Sequence, residues 1–272
     1  MTSQDSSATS IDAAVERLSQ AQATRVPCAP VRDLIGTEDL AAAYAVQQGL
    51  VQGRLAHGAT VVGRKIGATS EAVQTQLGVD QPDFGYLLDD MDVSPREGRR
   101  GPISMRTLLQ PRVEAEVAFV LARDLDLPED EITLDAVRAA VEVALPALEI
   151  VDSRIADWRI GFTDTVADNA SSGLFVVGAD GRSLDDIEPR DVVMSLTING
   201  EERSAGNGAA CLGDPLEALR WLAVQAARFG DPLRAGHLIL SGALGPFVPF
   251  VPGDRVVATI SGFEPLSVTF EE

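Results

Sequence analysis

Histidine and cysteine are scarce in this 272-residue chain, with two of each. Cys28 and Cys211 stand far apart with no CxxC spacing, which disfavours a disulfide framework and a thiolate zinc site. His57 and His237 are isolated from each other and from any metal-ligand spacing, so histidine-based catalysis or metal binding is disfavoured too. Long apolar runs are missing: the nearest, LILSGALGPFVPFVP, is short and interrupted, and no membrane span is expected. The opening MTSQDSSATS lacks the basic start and apolar core of a signal peptide, so the expected location is the cytoplasm. Positive charge is in short supply, with 22 Lys and Arg against 41 Asp and Glu and a net charge of −19. That balance argues against a nucleic-acid partner. A small anionic substrate stays open, because a bound divalent cation reverses the sign locally. No GxGxxG follows a strand, GNGAACLG lacks the third glycine, and neither a P-loop nor a GxSxG elbow occurs. Nucleotide cofactors and serine hydrolase chemistry are therefore disfavoured.

What remains is ordinary for a soluble globular protein: 45% hydrophobic and 23% charged residues. Residues 1–10 are Ser/Thr-rich and expected to be disordered. Helices are expected over 11–24 and 38–57, the second with Thr37 as N-cap and Gly58 as stop signal. TVVGRKIGA reads as a short strand and QPDFGYLLDDMDVSPREGRRGP as irregular chain. A boundary near residue 90 divides a helix-rich N-terminal domain, 11–90, from a β-rich catalytic domain, 91–272. QPRVEAEVAFVLARDL reads as a strand. The segment after it reads as a helix to about Leu145, stopped by Pro146 and followed by extended ALEIVD. SSGLFVVG, DVVMSLTING, HLILSG, RVVATISG and LSVTFEE read as strands. Asp214, Pro215, Glu217 and Gly230 mark the start, a capping box and the end of the clearest helix. Helices and strands mix without strict alternation, which favours an α+β fold.

The chemistry concentrates in RVEAEVAFVL. Alternation along a strand puts Val113, Ala115, Val117, Phe119 and Leu121 on one face. Arg112, Glu114, Glu116, Ala118 and Val120 fall on the other. Two glutamates within about 7 Å of each other repel unless a cation lies between them. A bare ExE usually marks a solvated face, but Ala118 and Val120 continue this one as apolar. A hard cation taking oxygen ligands, Mg²⁺ or Mn²⁺, resolves the conflict. A third ligand is available in Glu149, charged within the apolar stretch ALEIV, with Asp152 competing for the role. In VVGRKIG, Lys65 shares a strand face with Gly63 and Gly67, leaving space beside the ammonium for a substrate; an exposed edge-strand lysine is the plainer alternative. Asp83 falls in a Pro/Gly turn, and Asp168, Asn169, Ser171 and Ser172 cluster in turn-like sequence. Each of these alone is ordinary turn chemistry.

GRKIGATSEAVQTQLGVDQPDFGYLLDDM, QPRVEAEVAFVL, ALEIVDSRIADW, VADNASSG and GNGAACLGDPLEALRWLA, in this order over roughly residues 11–272, resemble the 2-hydroxypenta-2,4-dienoate (2-keto-4-pentenoate) hydratases of the fumarylacetoacetate hydrolase superfamily. The resemblance implies a mixed β-roll core with a smaller helical N-terminal domain. It implies Mg²⁺ or Mn²⁺ on Glu114, Glu116 and Glu149, with Lys65, Asp83 and Ser171 catalytic and Lys65, Gly67 and Ser171 contacting substrate. The implied reaction adds water to a 2-hydroxy-2,4-dienoate in meta-cleavage catabolism of aromatic rings or steroids. The implied assembly is a homo-oligomer, open to association with another enzyme of the same route. Its nearest competitor is 2-oxo-3-hexenedioate (4-oxalocrotonate) decarboxylase, whose members tend to carry a His where this chain has Gln110. Hydrolysis of an acylpyruvate lacks a suitably placed His. A non-catalytic assembly subunit is the reading from another class.

Overall fold

A computed structural model describes residues 3–70, 74–75, 81–95 and 101–272. Strand-forming runs assemble two sheets. The first holds β1 (Val61–Gly67), β2 (Asp83–Leu88), β4 (Arg112–Leu121), β5 (Val141–Val151), β6 (Ser172–Val177), β9 (Leu238–Ala243) and β10 (Val248–Pro249). Its order is β2-β1-β9-β4-β5-β6, with β10 also on β4. The second sheet runs β3 (Ile103–Ser104), β12 (Leu266–Glu271), β11 (Arg255–Ile260), β7 (Val193–Ile198) and β8 (Glu201–Asn207). β1 and β2 precede the boundary expected near residue 90, so strands from both sides of it form the larger sheet.

β4 is covered on both faces. Val113, Ala115, Val117 and Phe119 join Leu196, Val256 and Phe270 of the second sheet in one core. Ala118 packs on the other side with Leu87, Leu88, Leu240 and Val51, the last from helix α3 (Leu40–Ala56). Helices α1 (Ser3–Thr24), α2 (Arg32–Ile35) and α3 share a further apolar cluster with α5 (Phe162–Ala167). The α+β expectation therefore holds, with mixed sheets and a helical N-terminal region.

Several boundaries differ from the sequence reading. α1 starts at Ser3, inside the stretch expected to be disordered. α3 is capped by Asp39, whose carboxylate accepts from Ala42 N, rather than by Thr37. α4 covers only Leu134–Ala140. The valines of VEV then enter β5, which continues through Pro146, because pairing along β4 outweighs both helix periodicity and the missing proline N–H. β2 takes up Asp83–Leu88 of the expected irregular chain, and Asp83 opens this strand opposite Gly67 instead of sitting in a turn. Helix α6 (Pro215–Arg228) matches, with Asp214 capping Leu216 N, although Glu217 pairs with Arg220 rather than closing a capping box.

One buried ion pair fixes the connection from α5 to β6. Arg154 Nε donates to Asp168 Oδ1 at 2.5 Å, and Ser153 Oγ and Arg154 N donate to Oδ2, each at 3.0 Å. The guanidinium also donates to Ser172 O at 2.6 Å. Between these anchors Asn169, Ala170 and Ser171 all adopt left-handed backbone, with φ of 54°, 52° and 52°, at roughly 1–2 kcal/mol each. The Asn169 side chain returns a pair of hydrogen bonds to the edge strand β2: Tyr86 N donates to its Oδ1 at 2.8 Å and its Nδ2 donates to Tyr86 O at 2.9 Å. Replacing Asp168 with Asn strands a buried guanidinium without its countercharge. The expected loss of stability is about 3–5 kcal/mol, read from the urea midpoint against the parent chain.

Candidate active site

The register of β4 and β5 builds the acidic centre. Glu114 stands opposite Glu149 and Glu116 opposite Ala147, so the three carboxylates share one sheet face. Like charges placed opposite each other destabilise a sheet, and here they are also dry: Glu114 is 7% exposed, Glu149 1% and Glu116 not at all. One oxygen from each lies within 4.8 Å of the others. Glu116 Oε2 accepts from Gly242 N at 2.8 Å. Gly242 has φ +111°, and a Cβ there would meet Thr69 at 2.4 Å, so glycine is required where this N–H is presented. Glu116 Oε1 and Glu149 Oε2 have no hydrogen-bond partner.

Lys65 is buried, and its β1 is an interior strand between β2 and β9, which excludes the exposed edge lysine. Its Nζ lies 3.1 Å from Glu149 Oε1, an ion-pair contact without the alignment of a hydrogen bond. Burial works to lower the lysine pKa, but the charges of Glu149, Asp83, Glu114 and Glu116 outweigh it and hold the group protonated. Asp83 is pushed up from the usual carboxylate range by burial, with Lys65 and a hydrogen bond from Thr165 opposing. Glycine at 67 makes room for both: a Cβ there would fall 2.2 Å from Asp83 Oδ1 and 3.5 Å from Lys65 Nζ. Thr165 Oγ1 donates to Asp83 Oδ2 at 3.3 Å and lies 3.3 Å from Ser171 Oγ.

These groups meet at one cavity of about 400 Å³, lined among others by Lys65, Gly67, Asp83, Glu114, Thr165 and Ser171. Of the residues singled out from sequence, Lys65, Gly67, Asp83, Glu114 and Ser171 line it, and Glu116 and Glu149 adjoin through Glu114. Asp168 and Asn169 serve the turn before β6, and Asp152 lies outside. That carboxylate accepts instead from Leu109 N and Gln110 N, while Arg154 is taken by Asp168. Sequence reasoning missed Thr165 and Gly242. The hydroxyl three residues before Asp168 and the glycine next to last in β9 were the available signals.

Orphaned, buried carboxylate oxygens around one point are what a hard divalent cation requires, and the donor set suits Mg²⁺ or Mn²⁺. A mixed-sheet fold carrying such a triad beside a buried lysine defines a metal-dependent enzyme centred on carboxylates. The sequence profile of the fumarylacetoacetate hydrolase C-terminal family matches residues 60–271. A 2-keto-4-pentenoate hydratase from Paraburkholderia xenovorans is 50% identical over 95% of this chain and 94% of its own. A 2-hydroxyhexa-2,4-dienoate hydratase from Comamonas testosteroni is 41% identical over 94% and 96%. Among solved structures, 4-oxalocrotonate decarboxylase from Pseudomonas putida G7, complexed with magnesium and adipate, superposes with a TM-score of 0.89 at 31% identity, covering 99% and 98% of the two chains. The chain belongs to the 2-keto-4-pentenoate hydratase family of the fumarylacetoacetate hydrolase superfamily.

The triad has a pH signature. Burial first, then the Glu149 charge, raises Glu114 from 4.5 to about 8, with Lys65 opposing. Burial and the other two glutamates raise Glu116 well above its ordinary value. In the metal-free chain a raised carboxyl pKa favours the folded state below pH 4.5, an advantage lost as pH climbs through about 8. A cation must displace those protons. The rise in Tm caused by Mg²⁺ or Mn²⁺ over EDTA should therefore grow from pH 6 to pH 8 in scanning fluorimetry. A metal effect that shrinks over that range would exclude the triad as the binding site.

Proposed function

We propose that this enzyme adds water to 2-hydroxypenta-2,4-dienoate or a close homologue, giving a 4-hydroxy-2-oxoalkanoate. The observation that carries it is the convergence of Lys65, Asp83 and Ser171 on one cavity with the glutamate triad. Identity near 50% to proteins named as hydratases supports the same reading.

Glu114, Glu116 and Glu149 would hold the cation, which when bound supplies Lewis-acid stabilisation to the enolate of a 2-oxo acid. The Lys65 ammonium, kept charged by its carboxylate neighbours, offsets the negative charge of the substrate's carboxylate and 2-oxygen. Gly67, where any side chain would collide with the Asp83 carboxyl, leaves that group its place beside Lys65 and the substrate. Ketonisation of the dienol removes the proton from the 2-hydroxyl and delivers one to C5, leaving a 2-oxo-3-enoate. Asp83, whose raised pKa lets it carry a proton, and Lys65 share these transfers. Water then forms a bond to C4 and a proton ends on C3, so the sum is one water added. Ser171 orients the substrate, and Thr165 ties its hydroxyl to Asp83. The working form is a cytoplasmic homo-oligomer, as the family resemblance implies. Among the described residues no helix is long and apolar enough to cross a membrane.

Loss of the dienoate's ultraviolet absorbance measures the reaction directly. Turnover should require Mg²⁺ or Mn²⁺ and stop with EDTA. Asp83→Asn should lower kcat by about 10²–10⁴; an unchanged rate would remove Asp83 from the scheme. Because the decarboxylase fold matches over nearly the whole chain, CO₂ release from 2-oxo-3-hexenedioate is the control that would move the assignment to decarboxylase. Absence of metal-dependent turnover on any dienoate would favour an assembly subunit.

A further inference from the structure

Gln47, on helix α3, is a buried polar side chain, 1% exposed, that lies outside the cavity lining. Its Nε2 donates to Phe84 O at 2.8 Å and to Val166 O at 3.0 Å. Both partners are carbonyls, so the amide can face only this way. Its Oε1 meets no donor among the described residues. An unpaired acceptor in a dry interior is costly, and the two donated bonds are what offset it.

Each carbonyl is a group that its own element leaves unmet. β2 is the terminal strand of the larger sheet, so backbone groups along its outer side have no strand to pair with. Asn169 serves Tyr86 there, and Gln47 serves Phe84. Val166 lies in the last turn of α5, where helix carbonyls lack an intrahelical donor. Tyr44, one turn before Gln47 on α3, stacks on the Phe84 ring with centres 4.8 Å apart. The helix thus grips Phe84 by its ring and by its carbonyl.

The two residues that Gln47 joins are neighbours of two that act in the cavity. Phe84 follows Asp83, and Val166 follows Thr165. Thr165 Oγ1 donates to Asp83 Oδ2 at 3.3 Å and stands equally far from Ser171 Oγ. That contact is already long for a hydroxyl donor, and a small drift of β2 away from α5 would break it. We propose that Gln47 is a positioning residue: by clamping β2 to α5 it holds Asp83 against Thr165 and Ser171. Its bearing on rate rests on the proton transfers assigned to Asp83 above.

Gln47→Met keeps the length of the side chain and removes both donors. In a crystal structure of that variant the Thr165 Oγ1–Asp83 Oδ2 separation should pass the hydrogen-bond limit of about 3.5 Å, with Glu114, Glu116 and Glu149 unmoved. With Mg²⁺ and the dienoate, kcat should fall about tenfold to a hundredfold. KM should change by less than about twofold, because Gln47 stands outside the cavity. Thr165→Val removes the same contact from its other side. The double variant should therefore be no slower than the slower single one; losses that multiply would overturn the proposal. So would an unchanged Thr165–Asp83 distance, or an active parent whose kcat survives Gln47→Met. Should that variant fail to fold, Gln47→Glu takes its place. A carboxyl so buried stays neutral, and its single O–H can meet only one of the two carbonyls, so a smaller loss of kcat at unchanged KM is expected. A parent chain that turns over no dienoate would sink the hydratase reading, while the distances in the crystal would still decide the clamp.

Discussion

Four buried carboxyls, Glu114, Glu116, Glu149 and Asp83, face one buried ammonium. The charges cannot balance among themselves in a dry interior, where isolated ions are costly and an unmatched carboxylate takes up a proton instead. A divalent cation closes the deficit at the triad, and the same excess of negative charge keeps Lys65 protonated. Metal affinity, lysine charge and Asp83 protonation are thus one electrostatic problem with one geometry. The cation demanded by the glutamates also turns an acidic site, in an acidic chain, into one that accepts an anionic substrate.

That geometry is a matter of strand register. Glu114 and Glu149 meet because β4 and β5 run antiparallel with those positions opposed. Asp83 lies across from Gly67, two residues from Lys65, because β2 returns along β1. A slip of one residue in β4 would move both of its glutamates into the apolar core between the sheets. The apolar face of Val113, Ala115, Val117 and Phe119 is therefore what aims the carboxylates, and core packing and site geometry are the same constraint seen from two sides.

Alternation made the glutamate face of β4 legible, and an acid inside an apolar run made Glu149 legible. Both signals are local, and both reflect a cost that shows in the sequence itself. Asp83 looked like turn chemistry because QPDFG carries turn residues. Only pairing with β1, distant along the chain, makes it a strand. VEVAL read as helix for the same reason, since its neighbour β4 decides what it becomes. Thr165 and Gly242 left no comparable mark, because a hydroxyl bridge and a single N–H depend on where α5 and β9 come to rest. Asp152 illustrates the converse: it matched the pattern sought for Glu149, yet backbone amides of Leu109 and Gln110 consume its oxygens.

The two ends of the cavity are built differently, and this bears on how one fold serves several reactions. The acidic end stands on paired interior strands, where a change of register or volume disturbs the whole sheet. Two left-handed segments, Asp157–Trp158 and Asn169–Ser171, also contribute to the lining, each held by side-chain hydrogen bonds from elsewhere. Of the two, Asp157–Trp158 lies toward the surface, where loops exchange residues without disturbing a core. A decarboxylase 31% identical to this chain keeps the same fold across 99% of it, so the difference between adding water and releasing CO₂ cannot lie in the architecture. It has to arise among the few side chains that decide where the far end of the substrate rests and where water is admitted. One wall that could differ in this way is fixed here by Gln110, which donates to Ser153 O and Ile155 O and accepts from Asp157 N.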